Sequence, residues 1–166
     1  VAWPMAGMGL ALRRLGRSVE ALAALREAAG IHAGWDGQTH RSTVQARLDA
    51  LEVALLLGLD ATPELEALRA AESAIAPDSA AGCRWAFLRE QAAAAPDVAA
   101  LEQAFDCMQT HQAPVTVRAQ AALVLAMIDP APERLRAASE QVQALSPGDA
   151  LLDRALQALQ GEGSGP

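Results

Sequence analysis

The chain has 166 residues, a net charge of −7, and 52% hydrophobic against 20% charged residues, a balance that suits one ordinary domain and excludes a disordered chain. Ala and Leu number 40 and 23, whereas Val, Ile and Thr together number 17, Phe two and Tyr none; sheets favour β-branched and aromatic residues, so a sheet-centred fold is excluded too. All 13 basic residues are Arg, against 20 acids, which argues against a general binder of phosphate backbones, and no nucleic-acid partner is expected.

The predicted elements follow the Gly and Pro punctuation. A first helix spans residues 4–15 and stops at Gly16, and a second spans 18–29, with Ser18 as its cap and Gly30 as its stop. Ser42 and Gln45 make a capping box for a third helix, which ends at Gly58. Thr62 and Pro63 open a fourth that stops before Pro77. Asp78 or Ser79 opens a fifth, running to Ala95. Pro96 and Asp97 break the chain and start a sixth, which ends near His111. Pro114 precedes a seventh, reaching Asp129, and an eighth runs over 132–145. Residues 146–149 cap a ninth that ends at Gly161, leaving 161–166 as a frayed tail. Each segment carries a helical stripe: Val44, Leu48, Leu51 and Leu55 in the third, Val98, Leu101, Phe105 and Met108 in the sixth, Val117, Ala121, Val124 and Ile128 in the seventh, Leu135, Ala138, Val142 and Leu145 in the eighth. Odd-numbered helices start near 4, 42, 80, 115 and 148, in steps of 38, 38, 35 and 33 residues. Such steps read as helix-pair repeats, four pairs in all, with the ninth helix capping the stack.

The first hairpin gives these repeats a family. Gly9 is a small residue where two helices would pack tightly, with Leu12 three residues on, Gly16 in the turn, and Ala21, Leu25 and Ala28 as a small–large–small series on the second helix. Residues 5–29 thereby resemble a tetratricopeptide repeat, with Met5 in place of the usual Trp and Ala33 where the terminal Pro stands. Ala67, Leu68 and Ala74, and the passage 144–149, echo the pattern. The resemblance implies an all-α, right-handed superhelix of stacked antiparallel hairpins over a single domain, residues 1–160, and a contact of Gly9 with the stretch from Ala21 to Leu25. A compact helical bundle is the alternative.

Nothing in the chain forms a catalytic constellation. Without Lys there is no phosphate-binding loop, and HExxH, CxxC and GxSxG are absent. No cofactor is expected. Cys107 and His111 lie one helical turn apart, but two ligands do not make a zinc site, so no metal is expected. Cys83 and Cys107 flank the Pro96 turn almost symmetrically, yet similar height alone does not bring two Cα atoms within bridging distance, and two separate thiols are expected. Residues 30–41 concentrate His32, Trp35, Asp36 and His40 among three Gly. They form either a ligand loop or, as expected here, a segment in which Trp35 folds back over the core and the two His are solvated. Trp3 and Trp85 read as packing residues.

Charge partition points to a use. First helices of the pairs, with the ninth, carry seven Arg and six acids, whereas second helices carry four Arg and ten acids. The resemblance places first helices on the concave wall, which would then suit a carboxylate-bearing peptide or acidic helix. The expected groove residues are Leu10, Arg13, Arg14, Arg47, Arg84 and Arg118. The function expected is a non-enzymatic protein-interaction module, an adaptor, scaffold or chaperone. The alternative is a sensory or regulatory domain of a larger bacterial signalling or transcription-regulatory protein, binding a small ligand or peptide. No apolar run is long enough to span a membrane, and a cytoplasmic location is expected, with periplasm or secretion left open.

Overall fold

A computed structural model of the chain describes residues 2–145 and 147–162, with the side chains of 2, 3 and 162 left aside. The packing role of Trp3, the place of Ser146 in the ninth cap and the tail beyond 162 lie outside the described residues. Among the described residues there are nine α-helices and no strand: α1 (Ala2–Arg14), α2 (Ser18–Trp35), α3 (Arg41–Leu56), α4 (Thr62–Ala70), α5 (Ala80–Gln91), α6 (Val98–Thr110), α7 (Val115–Ile128), α8 (Pro132–Gln143) and α9 (Ala150–Glu162), with a short 3-10 turn at Glu72–Ala74. None of the described helices is long and apolar enough to cross a membrane. The chain divides into two compact units, Val1–Pro77 and Asp78–Pro166, and each is described by itself.

In the first unit α1 packs on α2, α2 on α3, and α3 on α4. Helix α3 is central: Val44, Leu48, Leu51 and Val53 are buried, as are Ala21, Leu22, Leu25 and Ala28 of α2 and Leu68 of α4. The α1–α2 turn closes with Gly16 at φ +75°, and Arg17 N–H donates to the Leu12 carbonyl across it at 2.9 Å. That left-handed residue is what glycine supplies at a helix end. An ideal Cβ on Gly9 would lie 2.7 Å from Leu25 Cγ and 3.3 Å from the Ala21 carbonyl oxygen. The close approach expected at this glycine is therefore present.

Helix α2 departs from its expected limits at both ends. Ser18 is not the cap; Arg17 holds that position with no side-chain hydrogen bond, and Ser18 is the first helical residue, buried. Gly30 does not stop the helix: it does not take the positive φ of Gly16 and Gly58, and Ala28, Ala29 and His32 around it are buried. The helix runs on to Trp35, and Gly37, at φ +96°, makes the turn. Most of the expected loop at 30–41 is thus helix. The capping box is also corrected: His40 caps α3, its Nδ1 accepting from Ser42 N–H at 3.3 Å, while Thr43 Oγ1 donates to the Gly37 carbonyl at 2.8 Å.

In the second unit α5 packs on α6, α6 on α7, α7 on α8, and α9 on both α7 and α8. Cys83, Phe87, Leu101, Ala104, Met108, Val117, Ala121 and Val124 form one apolar cluster. Ser79 and Asp97 cap α5 and α6 through Gly82 N–H and Ala99 N–H, at 3.0 and 2.9 Å, and Asp149 accepts from Leu151 N–H and Leu152 N–H at 3.1 and 3.2 Å at the start of α9. Trp85 is 3% exposed, a packing residue. Cys83 and Cys107, expected as separate thiols, are joined in a disulfide with Cα atoms 5.6 Å apart. Helices α5 and α6 close on one another about the turn at 92–97, and that brings the pair inside the bridging range.

Candidate binding site

A cavity of about 350 Å³ opens between α2, α3 and α4 in the first unit. Its room comes from small residues, Ala29 and Gly30 of α2, Ala50 of α3 and Ala67 of α4. Charge is arranged around that apolar floor. Arg26 of α2 binds Glu64 of α4 as a fork, Nε to Oε1 at 2.8 Å and Nη2 to Oε2 at 3.0 Å, and Nη2 also donates to the Asp60 carbonyl at 2.7 Å. The bond to Glu64 raises the Arg26 guanidinium above its ordinary value. Glu64 is 5% exposed, so its charge is committed to this pair.

Arg47 of α3 lines the same cavity and is held differently. Its guanidinium donates to the Gln38 carbonyl at 3.3 Å and to the Gln38 side-chain oxygen. Both acceptors are neutral, and none of the described carboxylates lies within ion-pair distance of Arg47. Burial pushes this guanidinium down, against the pull of Glu64, but arginine keeps its proton throughout the accessible pH range. With Arg26 and Glu64 cancelling, the cavity wall carries one positive charge, partly withdrawn from water and fork-shaped. Such a group suits a carboxylate.

The other expected groove residues are placed elsewhere. Arg13 is buried, its Nη1 3.4 Å from Glu52 Oε2, with both side chains under 5% exposed. It is bound inside the first unit and does not face a groove. Arg14 is exposed on α1 and Leu10 is 37% exposed. Arg84 is buried on α5, and Arg118 is half-buried on α7 with an Nε that makes no hydrogen bond. Of the six, Arg47 alone lines the cavity.

His32, Asp36 and His40 do come together. Asp36 Oδ2 lies 2.9 Å from Nδ1 of the buried His32 and 3.9 Å from Nδ1 of His40. His40 Nδ1 accepts the Ser42 N–H, so this ring serves as the cap of α3. The pairing of His32 with Asp36 at i, i+4 ties down the end of α2. Trp35, expected to cover the core, is 86% exposed.

Sequence reasoning missed Arg26, Gln38 and Glu64. A signal was available: Arg26 and Glu64 lie 38 residues apart, the same step that separates the first three odd-numbered helices. No family model, curated protein or solved structure matches the chain.

Proposed function

We propose that the chain is a non-enzymatic interaction module in which the cavity between α2, α3 and α4 receives a carboxylate-bearing peptide segment, with the Arg47 guanidinium as its anion partner. The observation that carries this reading is Arg47 itself: a half-buried fork beside a cavity, bonded only to neutral oxygens. The Arg26–Glu64 pair forms the opposite wall and contributes no net charge. A repeat scaffold of tetratricopeptide type fits this use, and the tight approach of Gly9 to Leu25 supports it. A cavity of about 350 Å³ also fits a small carboxylate, since ligand pockets commonly hold about 300–1,000 Å³; this is the second reading, a sensory domain.

The test starts from acidic peptides arrayed on a membrane and probed with the full chain, with the best peptide carried into solution titration beside succinate. The peptide is expected to bind at least tenfold more tightly than succinate. Arg47→Met, which keeps the aliphatic stem, is expected to weaken the peptide about tenfold or more, as losing a charge-assisted bond of about 1.5–3 kcal/mol implies. Arg136→Glu, at an exposed position on α8, is expected to leave binding unchanged. Equal binding by wild type and Arg47→Met would overturn the assignment, and succinate binding as tightly as any peptide would favour the sensory reading.

A further inference from the structure

The second unit holds a set of donor atoms unrelated to the cavity. Cys107 and His111 lie one turn apart at the end of α6, and α5 brings Cys83 against them. One ligand atom from each, the two sulfurs and an imidazole nitrogen, lie within 4.8 Å of one another. Cys83 is buried beside Phe87 and Met108 in the apolar cluster, Cys107 is half-buried, and His111 is exposed, so the three donors run from core to surface.

We propose that, with the disulfide reduced, Cys83, Cys107 and His111 form a three-ligand site for Zn²⁺, leaving a fourth position open to water. Thiolate and imidazole are the donors that zinc takes, and three protein ligands with one open position is an established zinc arrangement. Tetrahedral coordination, with Zn–S of about 2.3 Å and Zn–N of about 2.0 Å, sets donor atoms about 3.5–3.8 Å apart. Once the bond of about 2 Å between them is broken, the sulfurs must move apart by about 1.7 Å, and the imidazole must close by about 1.3 Å at most. Helix α6 fixes two of the ligands on one face by their i, i+4 spacing. The His111 imidazole makes no hydrogen bond among the described residues, so it can turn toward the sulfurs without breaking one.

The chemistry balances with a dithiol as reductant. Two electrons and two protons pass from the dithiol to the pair; the Sγ–Sγ bond breaks, Cys83 and Cys107 become thiols, and the reductant closes its own disulfide. Metal binding then releases both thiol protons. Bridge and metal therefore exclude one another at the same two sulfurs.

The experiment uses the full chain in two preparations, oxidised and reduced, the reductant being removed under anaerobic conditions. Co²⁺ is the probe, because tetrahedral thiolate coordination gives it intense visible bands and a sulfur-to-metal charge-transfer band. The reduced chain is expected to bind one equivalent with both signatures, and the oxidised chain none. Reduced His111→Ala, altered only at an exposed position, should bind at least about tenfold more weakly, since losing even an outer-shell partner costs about 10–100-fold. Equal uptake by the reduced and oxidised chains, or unchanged affinity in His111→Ala, would overturn the proposal. Circular dichroism covers the case in which reduction loosens the second unit: one equivalent of Zn²⁺ restoring helicity supports the site, and failure to restore it sinks it.

Discussion

Arg13 is buried with its guanidinium 3.4 Å from Glu52, and its chain neighbour Arg14 points to solvent. Adjacent helical residues project about 100° apart, so a partition of charge by whole helices cannot tell them apart. For that reason the burial of Arg13 was not legible in the sequence. Removing one partner leaves the other charge buried, and Glu52→Ala is expected to destabilise the first unit by about 3–5 kcal/mol. The double substitution Arg13→Met with Glu52→Leu should cost far less, and chemical denaturation of the three variants checks both statements. Gly9, by contrast, was legible, because a small residue three positions before Leu12, and set against Ala21 and Leu25, marks a place where two backbones approach. Gly9→Leu would push into the buried Leu25, and its melting temperature should fall by an amount matching about 1–3 kcal/mol. An unchanged melting temperature would mean that the α1–α2 packing described here is wrong.

At the level of elements, the helices themselves were legible from Gly, Pro and the 3.6-residue stripe, and their ends were less so. Gly16 and Gly58, at φ +75° and +65°, end helices where expected, whereas Gln112 adopts φ +51° at the end of α6 without a glycine to mark it. Helix α5 stops at Gln91, short of Ala95: the residue before Pro96 is disfavoured in a helix, and Glu90 Oε1 accepts the Asp97 N–H at 2.7 Å, folding the loop back. The cavity depends on another such end. Asp60 Oδ1 accepts the Thr62 N–H at 3.0 Å at the head of α4, and this bond, with the nearby Arg26, holds the Asp60 carboxyl below the ordinary aspartate value of 3.8. A depressed carboxyl contributes stability above its unfolded value and loses it as pH falls through the folded one. Asp60→Ala should therefore melt below wild type at neutral pH, and the gap should close as pH falls below 3.8. A gap of constant size across that range would assign the effect to something other than this carboxylate.

Over the whole molecule, the chain divides into two compact units, and the covalent bridge lies in the second. Closing a loop over a separation of 24 residues removes unfolded-state entropy worth about 3.5 kcal/mol at most. Reduction without metal is expected to lower the stability of the second unit by up to that amount. Amide exchange should rise across α5 and α6 and stay unchanged across α1 to α3, since local opening follows the packing of its own unit. Exchange rising equally in both units would show that they unfold as one. The repeat spacing made neither the division at residue 77 nor the bridge visible: a regular step describes successive hairpins whether or not they share one core, and two cysteines at matched height are bridged only when their backbones also converge.

The two described indoles are distributed one to each unit, in opposite surroundings. Trp35 at the end of α2 is 86% exposed, and Trp85 on α5 is 3% exposed, with the Arg89 guanidinium 6.0 Å from its ring centre. The chain thus contains two optical reporters separable by solvent access. With Trp3 replaced by Phe, an aqueous quencher such as iodide silences the red-shifted emission of the first unit, and the shielded emission left behind records the unfolding of the second.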